Sequence, residues 1–252
     1  MNARPAGHVG VDGCKAGWLA VTRSAGLLRC SRYTRITYLT RAFSTASRIC
    51  IDIPIGLPWQ ELPIRPCDHL ARQTLGRPRQ SSVFPVPCRQ ALGSRSLAKA
   101  REVNQAELGR SIGAQSWGIA PKIREVDQGL QTHRSWWSKL REVHPEVCFW
   151  ALAGRRPMAH SKKKREGREE RLRVLERYEP TARVFLDEVL KSTRHIDIGA
   201  DDVLDALVAL ITAEATLGRL TRLVGDPAED LTGLPMEMLY LEVSESRRTS
   251  RQ

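Results

Sequence analysis

Five carboxylates stand at positions in the sequence from which they could converge on a metal ion. Asp12 and Asp52 each end a short apolar run that is typical of a buried core strand. Glu146 follows a third strand-like stretch, while Asp202 and Asp205 lie one helical turn apart at the start of an apolar helix. Ionised carboxylates brought within a few ångströms repel each other, and a divalent cation removes that penalty. Oxygen ligands suit Mg²⁺ and Mn²⁺, so the spacing predicts a site for one of these ions.

Paired Mg²⁺ or Mn²⁺ ions support one reaction in particular, the hydrolysis of phosphodiester bonds. Two ions about 3.5–4 Å apart can bind the attacking water and the leaving oxygen. The composition agrees with a polyanionic substrate, because the 252 residues include 40 Lys and Arg against 28 Asp and Glu, a net charge of +12. Most of the basic residues are arginines, whose planar guanidinium binds phosphate bidentately. We therefore expect DNA or RNA as the partner.

Six basic residues are candidates for contacts with the nucleic acid. Lys15 follows Asp12 closely, and the others lie in the charged segment 161–173, namely Lys162, Lys163, Lys164, Arg165 and Arg168. This segment leads into a predicted helix, so it is either a solvated helix face or an element that contacts phosphate. Lys15 is either an exposed turn lysine or a group that neutralises a phosphate. His144 could shuttle a proton or cap a turn.

The elements that must position the first two acids are strands of one sheet. Four strands are predicted, at residues 8–12, 17–23, 27–39 and 49–52. The first three predict an antiparallel meander, and the fourth is fully apolar, as expected of a buried central strand. Pro54 prevents further ladder bonding after the fourth strand. We expect the first strand to be the centre of the sheet and to aim Asp12 at the helix that carries Asp202.

Helical spacing is predicted at residues 67–75, 96–108, 123–130, 147–152 and 199–213. The last of these helices is the clearest, with a broad apolar face and with Asp201 as the predicted N-cap. The chain after Gly218 is expected to be loop-like until a short strand at 236–243, and 244–252 is predicted to be a flexible tail. No break in composition divides the chain, so we predict one α/β domain over 1–243 with a helical and loop-rich insertion at about 60–140.

The composition argues against several classes of protein. No apolar run reaches the ~18 residues of a membrane-spanning helix, and the first eight residues lack an apolar signal region. The six cysteines are scattered without a CxxC pair, which argues against a disulfide framework and a structural zinc site. We expect a cytoplasmic protein with no membrane partner. The oligomeric state stays open, a dimer being one option.

The acidic motifs stand in an order that resembles a known group of proteins. From about residue 8 to about residue 243 the chain contains GVDG, IDIPIGLP, CDHLAR, SSVFPVP, PKIREVD, EVHPE, a lysine-rich stretch and DDVLDA. This ordered set resembles an uncharacterised family of bacterial and archaeal proteins described as predicted nucleases of ribonuclease H fold. The late helix, which reads DVLDAL, is also similar to that of the Holliday-junction resolvases of the same superfamily.

The resemblance implies a ribonuclease H-like α/β fold, in which three antiparallel strands and then parallel strands form a mixed sheet flanked by helices. It also implies metal-ion roles for Asp12, Asp52 and Asp202. Asp205 and Glu146 are further candidates for the same catalytic site. The chain departs from the superfamily because Asp52 lies in a proline-flanked turn. Whether Asp52 or Glu146 supplies the second metal ligand is therefore open.

Three functions compete on these observations. The first is a Mg²⁺- or Mn²⁺-dependent nuclease in which Asp12 bridges two ions while Asp52 and Asp202 each hold one. The second is a phosphotransferase or ATPase of the related actin-like fold, since the turn at 12–17 has features of a phosphate loop. Against it, Pro54 removes a backbone N–H where a second phosphate turn would use one. The third is a nucleic-acid-binding module that keeps the fold without turnover.

Overall fold

A computed structural model describes residues 7–216 and 218–243 of the chain. The strands in these residues are β1 (His8–Cys14), β2 (Gly17–Ser24), β3 (Leu27–Tyr33), β4 (Arg48–Ile51), β5 (Leu140–Glu142), β6 (Leu220–Arg222) and β7 (Leu239–Leu241). The α-helices are α1 (Ile36–Ala42), α2 (Pro66–Arg79), α3 (Arg89–Leu92), α4 (Leu97–Leu108), α5 (Ala114–Thr132), α6 (Pro145–Leu152), α7 (Arg165–Leu175), α8 (Ala182–Ser192) and α9 (Ala200–Ala213). None of the helices in this part of the chain is long and apolar enough to cross a membrane.

Five of the strands form the main sheet, in the order β3-β2-β1-β4-β5. β2 runs antiparallel to both β1 and β3, whereas β4 is parallel to β1 and β5 is parallel to β4. β1 is therefore the central strand, which confirms the prediction. Three antiparallel strands followed by parallel strands, with helices flanking the sheet, are consistent with a ribonuclease H-like fold. β6 and β7 form a separate antiparallel pair.

The two faces of the sheet pack against different helices because successive side chains of a strand point to opposite faces. Val9 and Val11 of β1 are fully buried in a core that includes Ile123 of α5. On the other face, Val21 and Cys50 join a core that contains the apolar residues of α9. A sheet covered on both faces needs strands that are apolar throughout, which explains the continuous apolar runs of β1 and β4.

Gly10 allows α9 to lie directly against β1. A Cβ atom at this position would lie 2.1 Å from both the carbonyl oxygen of Ala206 and the backbone nitrogen of Leu210. Any side chain larger than hydrogen would therefore push the helix away from the strand. Asp12 lies two residues further along β1 and on the same face, so the close approach also sets how far Asp12 is from the start of α9.

The predicted third strand at 27–39 is too long. β3 ends at Tyr33, and α1 begins at Ile36, whose backbone N–H donates to Oε1 of Glu125 at 2.7 Å. Ile36 and Leu39 are both buried, a spacing of three residues that fits a helix and not an alternating strand. An acceptor on the distant helix α5 thus stabilises the start of α1, which the alternating sequence pattern did not indicate.

Further differences lie in the helices and in the C-terminal part of the chain. The predicted helices at 67–75, 96–108, 123–130, 147–152 and 199–213 correspond to α2, α4, α5, α6 and α9, although α5 begins nine residues before its predicted start. α3 and α8 have no counterpart among the predictions, and the expected loop after Gly218 contains β6, which pairs with β7 inside the predicted strand at 236–243. The predicted flexible tail at 244–252 lies outside the described residues.

Candidate metal site

Three of the five predicted acids meet at one edge of the sheet. Asp12, Asp52 and Asp205 each offer a carboxylate oxygen within 4.8 Å of the oxygens of the other two. Asp12 and Asp205 are buried, with 6% and 1% of their surface exposed, while Asp52 is partly exposed. We call these three residues the aspartate cluster. Its donors are all oxygens, and Asp52 leaves it open to solvent, so the cluster fits a hard divalent cation such as Mg²⁺ or Mn²⁺.

Parallel pairing of β1 with β4 brings Asp12 and Asp52 together. Val11 lies in register with Ile51, and the backbone N–H of Asp52 donates to the carbonyl oxygen of Val11 at 3.0 Å. Both acids therefore directly follow the last parallel pair of β1 and β4, at the carboxyl end of this ladder, where α/β sheets bind their ligands. The third acid, Asp205, comes from the first half of α9, which packs directly on β1.

The carboxylates of the aspartate cluster are short of positive charge. Burial raises the pKa of Asp12 well above its usual range, and the charges of Asp52 and Asp205 raise it further. Burial also raises the pKa of Asp52; His144 opposes this effect and Asp205 adds to it. A cation bound between these carboxylates would lower both pKa values.

Lys162 supplies a positive charge to the aspartate cluster. Its ammonium group donates to Oδ2 of Asp205 at 2.5 Å, and its side chain is 37% exposed. The charges of Asp205, Asp12 and Asp52 all raise the pKa of Lys162, so the lysine stays protonated. One ammonium group therefore faces three carboxylates.

Asp202 lies beside the aspartate cluster and also stabilises the start of α9. Its Oδ2 accepts a hydrogen bond from the backbone N–H of Gly199 at 2.8 Å. Gly199 is the N-cap residue, so the prediction that Asp201 caps this helix was wrong. Burial, together with the charges of Asp201 and Asp205, raises the pKa of Asp202 to about 6 against the opposing hydrogen bond from Gly199. Asp202 is electrostatically coupled to Asp12 but does not join the 4.8 Å group.

Glu146 does not join the 4.8 Å group either. It lies in the first turn of α6, is 5% exposed, and forms a buried ion pair with Arg171 of α7 through Oε1. Its other oxygen, Oε2, has no hydrogen-bond partner among the described residues. The guanidinium of Arg171 thus takes the place that the prediction gave to a metal ion, so we leave Glu146 out of the candidate ligand set.

The other predicted nucleic-acid contacts lie on the surface. Lys15 is 81% exposed and forms an ion pair with the exposed Asp197 at 2.8 Å. Lys163, Lys164 and Arg165 are exposed, and Arg168 is partly exposed. His144 is partly exposed and close enough to Asp52 to lower the pKa of that acid, and Nδ1 of its ring has no partner in the described part of the chain.

A second acidic group was not among the predicted sites. Cys67, Asp68 and Glu142 also offer ligand atoms within 4.8 Å of one another. Arg65, which has no exposed surface, donates to Asp68 at 2.8 Å, to Glu142, and to the carbonyl oxygen of Ile55 at 2.9 Å. We call this set the Arg65 cluster. Glu142 is the last residue of β5, just as Asp12 and Asp52 follow the apolar cores of their strands. This strand-end position is the sequence signal that could have revealed Glu142.

The comparisons with known proteins bear on the family alone. Searches of the curated proteins and of the solved structures returned no significant match. The model of one family, described as "Protein of unknown function (DUF429)", matches residues 10–229, a span that includes every member of the aspartate cluster. Because this match covers most of the 252 residues, the chain belongs to the DUF429 family.

Proposed function

We propose that this protein is a metal-dependent nuclease, which hydrolyses phosphodiester bonds in DNA or RNA with Mg²⁺ or Mn²⁺ bound at the aspartate cluster. The observation that carries the proposal is the charge balance of that cluster. Its three carboxylates have ligand atoms within 4.8 Å and share one ammonium group. An arrangement of this kind is unfavourable unless a cation neutralises it, and three carboxylates suit a hard divalent ion.

The three residues of the aspartate cluster would hold the ion from different sides. Asp12 and Asp205 are buried and would hold the ion from the protein side, whereas Asp52 is partly exposed and would hold it where the substrate enters. When bound, the metal would activate a water molecule and stabilise the leaving oxygen. His144 interacts electrostatically with Asp52, and its buried Nδ1 has no partner among the described residues, so we take His144 as the candidate proton acceptor of the site.

The basic segment supports a nucleic acid as the substrate. Lys163, Lys164 and Arg165 are exposed and directly follow Lys162, whose ammonium group lies in the aspartate cluster. Exposed positive charge thus lies within three residues of a lysine bonded to the acids, and such charge would neutralise phosphates of a bound nucleic acid. The net charge of +12 favours the same partner. A cytoplasmic location stays a prediction.

Cleavage assays with a matched pair of variants test the proposal. Labelled single-stranded, duplex, hybrid and branched substrates are incubated with wild type, Asp12→Asn and Asp197→Asn in Mn²⁺, Mg²⁺ or EDTA. We expect metal-dependent cleavage by wild type, and loss of at least ~100-fold for Asp12→Asn because an ion ligand contributes several kcal/mol to the transition state. Asp197→Asn makes the same chemical change at an exposed site and should retain activity.

Two results would replace the proposal with one of its alternatives. Tight binding of a nucleic acid without cleavage in any metal would identify a binding module. Thermal stabilisation by ATP, with no cleavage of any nucleic acid, would favour a phosphotransferase.

A further inference from the structure

Lys162 occupies an unusual position for a residue of a charged surface segment. Its neighbours Lys163 and Lys164 are exposed, yet the Lys162 side chain turns inward and bonds to Asp205, whose side chain is 1% exposed. The lysine also interacts electrostatically with Asp12 and Asp52. Its ammonium group therefore lies among the acids where a metal ion would be expected.

The backbone just before Lys162 is fixed by contacts with α7. Arg171 donates to the carbonyl oxygens of His160 at 3.1 Å and Gly167 at 2.9 Å, and it is itself held by the ion pair with Glu146. Gly167 packs so closely against this segment that a Cβ atom would lie 2.0 Å from the carbonyl oxygen of Ser161. The segment is thus held against α7 at His160 and Ser161, the two residues before Lys162.

Glu170, also on helix α7, holds the same stretch of backbone. The carboxylate of Glu170 accepts hydrogen bonds from the backbone N–H groups of Ala159 at 2.8 Å and His160 at 2.9 Å. With the preceding backbone held by two residues of α7, Lys162 can place its ammonium group in the cluster with less loss of conformational entropy. A mobile surface lysine would not remain there, because an exposed ion pair gains about 1 kcal/mol or less.

We propose that Lys162 is a permanent cation of the aspartate cluster, so that the site binds one divalent ion instead of two, and that Glu146 and Arg171 are the positioning residues that hold Lys162 there. This inference rests on the proposed function. Three carboxylates carry three negative charges, which one ammonium group and one divalent ion neutralise. A second divalent ion would leave two excess positive charges within the cluster, and Asp202 beside it could offset only one of them, which is unfavourable in a largely buried site.

Counting bound Mn²⁺ ions tests the role of Lys162 without an activity measurement. Titration calorimetry and native mass spectrometry are applied to wild type, Lys162→Met and Lys163→Met, the last removing the same charge from an exposed neighbour. We expect one ion per chain in wild type and Lys163→Met, and two in Lys162→Met. Two ions in wild type, or one in Lys162→Met, would overturn the inference and leave the proposed nuclease standing. One ion in wild type with no cleavage of any substrate would overturn the nuclease alone.

The role of Glu146 is tested with the same count. Glu146→Gln removes the charge that holds Arg171, and Glu169→Gln makes the same change at a partly exposed position on α7. We expect Glu146→Gln to bind a second Mn²⁺ ion because Lys162 is no longer held, and Glu169→Gln to bind one. If Glu146→Gln lowers the melting temperature but still binds one ion, Glu146 is purely structural. Lys162→Met tests the main claim even if Glu146→Gln fails to fold.

Discussion

The aspartate cluster and the Arg65 cluster bring acidic side chains equally close, but they balance the charge differently. In the Arg65 cluster a guanidinium with no exposed surface bonds to both Asp68 and Glu142, and Glu142 also accepts from the backbone N–H of Ile55 at 2.6 Å. In the aspartate cluster three carboxylates share one ammonium group, and that lysine is 37% exposed. By formal charge the Arg65 cluster has two carboxylates for one guanidinium and is closed to solvent, whereas the aspartate cluster has three carboxylates for one ammonium group and is open at Asp52.

The comparison shows that proximity of acids does not by itself identify a metal site. Within the Arg65 cluster a planar donor already fills the space between the carboxylates, so a cation would have to displace a buried arginine. The aspartate cluster keeps its excess negative charge and a path to solvent through Asp52. Charge balance and access therefore distinguish a structural ion-pair network from a candidate catalytic site.

The largest expected effect is on stability, in the Arg65 cluster. Arg65→Met leaves Asp68 and Glu142 buried without a partner, so we expect the free energy of unfolding to fall by about 3–5 kcal/mol. Urea denaturation in metal-free buffer measures the change. The control variant Arg177→Met replaces an exposed arginine and should change the free energy of unfolding by less than about 0.5 kcal/mol. A loss under about 1 kcal/mol in Arg65→Met would remove the structural role that separates the two clusters.

Removing one acid should have opposite effects in the two clusters. In EDTA, Asp12→Asn relieves repulsion among the buried aspartates, and we expect it to raise the free energy of unfolding by about 1 kcal/mol, as is common where a functional site is not optimised for stability. Glu142→Gln weakens the hydrogen bonds to Arg65 and should lower the free energy of unfolding by about 1–3 kcal/mol. The same sign for both variants in urea denaturation at pH 8 would show that the clusters do not differ in charge balance.

A smaller effect is expected from pH. The pKa of Asp202 is about 6 in the folded protein and 3.8 for an unperturbed aspartate, so between these values the folded state binds more protons than the unfolded state. The contribution of Asp202 to the free energy of unfolding therefore falls as the pH rises from about 4 to about 6. We expect Asp202→Asn to flatten this decline. Denaturation in metal-free buffer at each pH measures it. An unchanged slope would contradict the raised pKa.

The strand-end acids could be predicted from the sequence because the relevant pattern is local. An apolar β-branched run that ends in a carboxylate identifies both the strand and the position of its acid, as at Asp12 and Asp52. Two parallel strands then place these acids at the same edge of the sheet. The apolar face of α9 is equally local, which is why the helix and Asp205 were found.

The side-chain partners of the buried charges could not be predicted because they come from distant parts of the chain. Arg65 and Glu142 are 77 residues apart, and only the folded chain brings them together. In the same way Glu146 forms an ion pair with Arg171 of another helix, and this ion pair excludes Glu146 from the candidate metal site. The inward turn of Lys162 depends on these contacts, so its charged segment gave no local sign of it.

The direct contact between Gly10 and α9 bears on which ion the aspartate cluster would bind. Bonds from oxygen ligands to Mg²⁺ are about 2.0–2.1 Å long and those to Ca²⁺ about 2.3–2.6 Å, so a site selects between them by its width. Because Gly10 has no side chain, α9 lies directly against β1, and carboxylate oxygens of Asp12 on the strand and Asp205 on the helix come within 4.8 Å of each other. Selection for a small ion over a larger one would thus depend on a residue that touches neither the metal nor the substrate.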